Sequence, residues 1–260
     1  QVVQTQRNYL DSASMFHVLA VIACWLHVAA RSRTAIKADM HFCRRSQEAP
    51  RTNMKNTLSL VLETFPELAP KVLSTDPWVI FFDRFVSEAE IRACEAHLGS
   101  KKFAHMDNRE SLFCFGSCEQ ADIMQTLVGR AGNITRVPQD NIEFVQAVRY
   151  KEGMSFKAHH DNHPDLHLLP AGNRIFSIFV YLSDVENGGA TEFPTLGIVS
   201  PAKRGAAVLF QNTLSVDPDV SDLRATHKAS KVEAGEKRGL NLWVHQYNYK
   251  RFWQMGCAST

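Results

Sequence analysis

The sequence predicts an α+β fold that is mainly β: a two-layered β core with helices packed on one side. Two observations predict it. Helical periodicity ends near Gly132, and the chain beyond it reads as short apolar strands separated by Gly, Pro and Asn turns. Helices first and strands after place the helices against one layer of the strands. The bulk numbers agree. The 260 residues, 45% hydrophobic and 22% charged, suit one sizeable globular domain with an N-terminal extension. A net charge of +2, with Lys and Arg scattered, gives no electrostatic case for a nucleic-acid partner.

Taken in order, residues 1–75 read as the extension. Its most apolar run, Met15 to Ala30, is followed by Arg31, Arg33 and Lys37. The run is short for a membrane span. It reads as the apolar region of a signal peptide or a signal anchor, with a buried helix as the alternative. A signal or anchor directs the chain to the endoplasmic reticulum or secretory pathway, and an anchor attaches it to the membrane. Residues 31 to about 75 are polar and basic and read as a linker with one short helix around Leu58, Leu60, Val61 and Leu62.

The main domain is expected over residues 76–250, with a C-terminal tail at 251–260. Trp78 to Phe82 is a short apolar strand. Ser87 then opens a capping box with Glu90, and Ile91, Cys94 and Leu98 follow at helical spacing up to Gly99. A second helix is expected over Cys118 to Ala131, with Ile123, Met124, Leu127 and Val128 inward and Gly132 at its end. Strands are expected over Glu143–Tyr150, Ser155–Asp161, Arg174–Leu182, Ala206–Phe210, Ala225–Lys231 and Leu240–Tyr247. Six cysteines stand at 24, 43, 94, 114, 118 and 257. Cys114 and Cys118 lack the second close pair that a zinc site needs. They are read either as free thiols or as a local disulfide, which requires an oxidising compartment.

The chemistry-bearing segment is His159-His160-Asp161. On a strand, positions i and i+2 share a face, so His159 and Asp161 aim an imidazole and a carboxylate at one ion while His160 points away. One further ligand from a distant strand would complete a 2-His-1-carboxylate facial triad, which leaves open coordination positions. The candidate is His227. A hairpin through Gly235 returns Lys237 to its neighbourhood, where a buried ammonium can hold the distal carboxylate of an iron-chelating diacid. Trp243 is a candidate pocket wall.

The spaced elements Tyr150-x-x-Gly153, His159-x-Asp161, Arg174, Tyr181-Leu182, Gly188-Gly189-x-Thr191-x-Phe193-Pro194, Pro201, Gly205-x-Ala207, Phe210, His227, Val232-x-x-Gly235-x-Lys237 and Trp243 resemble the catalytic domain of prolyl 4-hydroxylases, over roughly residues 76 to 248. The resemblance implies a double-stranded β-helix, or jelly-roll, core. It implies His159, Asp161 and His227 as Fe(II) ligands. Lys237 is implied as the partner of the 2-oxoglutarate C5 carboxylate, with Tyr150 hydrogen-bonding the same group. The implied reaction is hydroxylation of peptidyl proline at C4 in a proline-containing peptide or protein, with O2 consumed, succinate and CO2 released, and ascorbate as reductant. Lys237, where related oxygen-sensing and lysyl hydroxylases usually carry Arg, favours the collagen-type or the plant and algal cell-wall branch. Phe156 stands where Tyr is common, Ser177 where Thr is common, and Lys231 where Pro is frequent. Two alternatives stay open: the same chemistry on a lysyl or free amino-acid substrate, and an inactive jelly-roll binding module.

Other conspicuous residues have plainer readings. His160, His163 and His167 read as surface histidines, His245 as packed or surface, Phe179 and Tyr181 as core, Arg174 as an exposed strand-end ion pair, and Thr191 as support for the Gly188-Gly189 turn. Asn133-Ile-Thr135 is a glycosylation sequon, relevant only in a secretory compartment.

Overall fold

The computed structural model describes Cys43 and residues 54–106, 108–163 and 165–257. The chain divides into two compact units, residues 1–44 and 45–260, and every helix and strand described lies in the second. The apolar run at 15–30 lies outside the described residues, among which no helix is long and apolar enough to cross a membrane.

Two short helices come first, α1 (Met54–Ser59) and α2 (Val61–Thr64). Then β1 (Pro70–Thr75) pairs antiparallel with β2 (Trp78–Phe82). The domain boundary expected at residue 75 therefore moves towards the N-terminus. Met54, Leu58, Val61 and Leu68 are buried in the same core cluster as Ile80 and Phe82. A strand at 70–75 was hidden from sequence because only alternate residues are half-buried; the others are exposed.

The capping box forms as expected. Ser87 accepts from the Glu90 amide, Glu90 accepts from the Ser87 amide, and α3 runs Glu88–Gly99. The second main helix, α4, is shifted to Asp122–Thr135. Its start is delayed because Cys118 is held in a 3-10 turn by a disulfide to Cys114, with Cα atoms 5.0 Å apart. Gly132 does not end the helix. It lies where a Cβ would sit 3.0 Å from the Val137 carbonyl oxygen, so its role is close approach.

The hairpin β3 (Ala104–Met106) and β4 (Arg109–Phe113) leads to β5 (Gln146–Tyr150), β6 (Phe156–His159), β7 (Arg174–Tyr181), β8 (Asn187–Gly188), β9 (Thr191–Phe193), β10 (Ile198–Ser200), β11 (Ala207–Gln211), β12 (His227–Ala229), β13 (Val232–Ala234) and β14 (Lys237–His245). Two main sheets result: an eight-stranded one ordered β1-β2-β11-β7-β14-β5-β4-β3 and a four-stranded one ordered β10-β9-β12-β6. All pairings are antiparallel, so this is the expected α+β, mainly β jelly roll.

The central strands of the large sheet are buried on both faces, with alternate side chains assigned to opposite cores. Phe176, Ile178 and Val180 of β7 and Leu240, Leu242 and Val244 of β14 belong to the helix-side core. Phe179 and Tyr181 face the other way, in the cluster shared with Phe193 and Phe210. The period of two along each strand is what assigns side chains to the inner face. Residues 251–260, expected as a tail, begin inside α5 (Tyr249–Gln254), whose Tyr249 and Phe252 are buried against Phe144. No apolar periodicity is visible in so short a helix; packing against one distant phenylalanine settles it.

Candidate active site

The inner face of the jelly roll gathers the expected ligands. β6 and β12 pair so that His159 stands directly opposite His227, with ring centroids 4.3 Å apart. Asp161 follows in the bend just beyond β6. Its Oδ1 lies 3.6 Å from His159 Nε2 and 3.8 Å from His227 Nε2. The three ligand atoms lie within 4.8 Å of one another. Each imidazole is oriented from behind, as metal-bound histidines require. His159 Nδ1 lies 2.9 Å from the Lys157 carbonyl, and His227 Nδ1 lies 3.1 Å from the Ala225 carbonyl. Those carbonyls can only accept, so both Nδ1 atoms carry the proton and both Nε2 lone pairs face the shared centre. His160 points away, its Nε2 bonded to the Asp222 carbonyl.

Asp161 is buried, and its second oxygen accepts from Ser177 Oγ at 2.5 Å; Ser177 in turn accepts from Asn212 Nδ2 at 2.8 Å. Burial alone would raise the Asp161 pKa. The imidazoles of His227 and His159 and the guanidinium of Arg174 outweigh it and hold the carboxyl ionised, below its usual range. Burial pushes His227 down to about 4, so it is neutral and able to ligate. Two imidazoles and one carboxylate on one face form a set that fits iron(II) and leaves the opposite positions free. Ser177, one of the departures from the family pattern, thus steadies a ligand rather than lining the cosubstrate cavity.

That cavity is lined by Tyr150, Phe156, Phe179, Thr191, Phe210 and Lys237, together with His159 and His227. Lys237 and Tyr150 are direct cross-strand partners and so project on the same side. Lys237 is 1% exposed, and among the described residues its ammonium has neither an ion pair nor a hydrogen bond. Aromatic rings lie around it: Phe179 at 4.6 Å, Tyr181 at 5.4 Å and Tyr150 at 5.5 Å. Burial pushes its pKa down to about 7. An uncompensated buried ammonium is costly, which makes the cavity a site for an anion. Gly239 keeps the wall in place, since a Cβ there would meet Phe179 Cζ at 2.4 Å.

The chain shares these features with known proteins. A family profile described as the 2OG-Fe(II) oxygenase superfamily matches residues 145–245. The chain is 28% identical over 219 residues to probable prolyl 4-hydroxylase 7 of Arabidopsis thaliana, covering 71% of this chain and 68% of that protein. It is 29% identical over 206 residues to prolyl 4-hydroxylase 1 of the same plant, covering 68% and 72%. Among solved structures, it is similar to the 2-oxoglutarate complex of a viral collagen prolyl hydroxylase from Paramecium Bursaria Chlorella virus-1. That match has a TM-score of 0.55 and 26% identity over 64% of this chain and 94% of that one. The chain carries a 2OG-Fe(II) oxygenase domain like that of the prolyl 4-hydroxylases. It is an enzyme of this type, using iron(II), 2-oxoglutarate and O2.

Other expectations about this oxygenase need correcting. Trp243 does not line the Lys237 cavity. It lies six residues further along β14, roughly 20 Å away at strand rise, opposite Ser177 on the far side of the metal centre. A residue's face can be read from sequence, whereas its distance along the groove depends on where β6 and β12 cross it. Arg174 is not an exposed ion pair: it is bidentate to the buried Glu143, at 2.5 and 3.0 Å, donates to the Asp161 carbonyl at 3.0 Å and stacks on Trp243 at 3.9 Å. His245 is buried, 2.6 Å from Glu143. Arg174 and His245 together hold Glu143 down to about 2 despite its burial. The sequence offered no signal for this triad beyond an acidic residue at the start of an apolar strand. Thr191 accepts from the Tyr181 hydroxyl at 2.8 Å and lines the cavity, while Tyr181 is core, as expected. Lys231 leaves the backbone after His227 intact: its carbonyl accepts from the Gly189 amide at 3.0 Å.

Proposed function

We propose that the chain is a peptidyl prolyl 4-hydroxylase. The observation that carries this reading is the buried, uncompensated ammonium of Lys237 in one cavity with His159 and His227. A diacid fits both ends: one carboxylate on Lys237 and Tyr150, the other end at the metal face. When bound, iron(II) supplies O2 activation coupled to decarboxylation of 2-oxoglutarate to succinate and CO2, and one oxygen atom goes to the substrate. The protein's share is placement. His159, Asp161 and His227 leave one side of the centre open, the aromatic wall of Phe179 and Tyr181 excludes water from the ammonium, and Ser177 stops Asp161 from rotating.

The proline substrate belongs at the other end of the groove. Lys237 and Trp243 are too far apart for one small diacid to touch both. Trp243 is buried with an indole N–H that has no acceptor among the described residues, and it sits beside Asp161's supporting arginine. A rigid, apolar ring with a carbonyl acceptor nearby, as in a prolyl peptide, complements it. The names of the plant and viral relatives support the same substrate class. Ascorbate as reductant and an endoplasmic-reticulum lumen complete the proposal. The Cys114–Cys118 disulfide supports an oxidising compartment, as do the disulfide-bonded Cys43 and Cys257.

The test is mass spectrometry of a proline-rich peptide incubated with iron(II), 2-oxoglutarate and O2. The expected result is a gain of one oxygen on proline, matched by succinate, and loss of both with His159→Ala and Lys237→Ala. Equal turnover by the three proteins, or an unmodified peptide alongside succinate, would remove the prolyl reading.

A further inference from the structure

Arg109 opens β4, one strand in from the β3 edge of the large sheet, and its side chain reaches inward. Its guanidinium carbon lies 3.9 Å from the centroid of Phe156, which lines the cosubstrate cavity. Its Nη1 donates to the Tyr150 hydroxyl at 3.3 Å, and its Nε is buried with no partner among the described residues. Arg109 itself is not among the residues lining the cavity.

We propose that Arg109 is a positioning residue for 2-oxoglutarate, acting through the Tyr150 hydroxyl. The physical reason lies in which atom gives and which receives. A guanidinium only donates. By donating to the Tyr150 oxygen it occupies a lone pair and leaves the phenolic proton to point elsewhere. Among the described residues that proton has no acceptor, and Tyr150 is 3% exposed, so water is a poor substitute. On the cavity side, next to its cross-strand partner Lys237, the hydroxyl is therefore set as a donor before any anion arrives. A carboxylate entering there meets an ammonium and a pre-aimed O–H, with a second positive charge behind them. Pre-aiming removes the cost of orienting the hydroxyl on binding. The stack on Phe156 fixes the guanidinium plane, and Phe156 in turn packs edge-on against His159 at 4.7 Å. Lysine at 109 would keep the charge but lack the planar fork that stacks and donates at once.

The inference rests on the 2-oxoglutarate reading, and the experiment separates the two. Equilibrium binding of 2-oxoglutarate is measured by calorimetry with Mn(II) in place of iron, in the absence of peptide, for wild type, Arg109→Gln, Arg109→Lys, Tyr150→Phe and the Arg109→Gln/Tyr150→Phe double variant. Peptide KM, Mn(II) affinity and Tm are recorded for each. Arg109→Gln is expected to weaken 2-oxoglutarate roughly tenfold, the size of one charge-assisted hydrogen bond. Tyr150→Phe should do the same, and the double variant should lose no more than either single, because both remove one interaction. Arg109→Lys should fall between wild type and glutamine. Mn(II) affinity and Tm should stay close to wild type. Multiplying losses in the double variant would overturn the proposal, as would an effect of Arg109→Gln confined to peptide KM. An equal fall in Mn(II) affinity and Tm would reduce Arg109 to a structural role. Failure of the wild-type protein to bind 2-oxoglutarate would sink the underlying reading instead.

Discussion

Lys237 is the residue at which function and stability pull in opposite directions. Its ammonium is 1% exposed among aromatic rings and has no counter-charge among the described residues. Burial lowers its pKa from 10.5 to about 7. Between those values the unfolded chain holds a proton that the folded one has released. Stability of the ligand-free protein therefore rises with pH from about 7 to about 10.5, and the full penalty applies below 7. Lys237→Met should raise the Tm of the ligand-free protein at pH 6 by on the order of 5 °C, following relief of roughly 1–4 kcal/mol. It should also abolish the Tm increase that 2-oxoglutarate gives wild type. For wild type, affinity for 2-oxoglutarate should be full below pH 7 and weaken as pH rises through it, because the anion needs the charged amine. Thermal melts across pH, with and without the diacid, check both; a destabilised Lys237→Met protein would contradict the account. The identity of Lys237 and of the three ligands was legible in the sequence because donor chemistry belongs to the residue. The absence of a counter-charge was not, since it is a property of everything packed around position 237.

Among the elements, the strands that carry ligands are the most legible and the turn that carries the disulfide the least. The β6 segment was readable because His159 and Asp161 obey a period of two, although the strand itself stops at His159. The Cys114–Cys118 bridge was undecided at the level of spacing. Its formation depends on the 3-10 turn at Gly116–Cys118 and on α4 beginning only at Asp122. The bridge ties the residue after β4 to the turn that precedes that helix. Phe113, next to Cys114, lies 6.4 Å from Trp243, and Phe115 stacks on Trp253 at 5.4 Å. Replacing both cysteines by serine closes no loop in the unfolded chain and should cost about 2 kcal/mol, or roughly 4–8 °C in Tm. 2-Oxoglutarate binding, on the opposite side of the metal centre, should be unchanged while peptide KM rises. An unchanged Tm would mean that the bridge does not form.

For the molecule as a whole, the fold sets one catalytic groove between two sheets, with the metal face made by the small sheet and the anion end by the large one. His159 and His227 come from β6 and β12, Lys237 and Tyr150 from β14 and β5. Ligands that bind only when both sheets are in place must stabilise the whole domain. Metal at a hundredfold its dissociation constant should add about 2.7 kcal/mol, with a further gain from saturating 2-oxoglutarate. A chelator should reverse the metal's share and most of the diacid's. Calorimetric melts of metal-free, metal-loaded and doubly loaded protein check this, and additive shifts without dependence of one ligand on the other would argue against a shared site. At this scale the sequence showed the order of helices and strands but misplaced both ends of the domain. β1 and α5 are held by contacts with β2 and Phe144 that no local pattern announces.

The sequence by itself determined the chemistry: two imidazoles and a carboxylate at spacings that share a strand face, a lysine a hairpin away, and a helix start written as Ser87 and Glu90. These are local properties, decided by side-chain donors and by the two-residue and 3.6-residue periods of the backbone. Only the tertiary structure decided that Glu143, Arg174 and His245 form one buried charge cluster, that Trp243 stands across the metal centre from Lys237, and that Arg109 reaches Tyr150. The members of the charge cluster, and likewise Arg109 and Tyr150, lie tens of residues apart in sequence, while Lys237 and Trp243 are separated by a site that other strands bring in; each relation exists only once the sheets have paired in register.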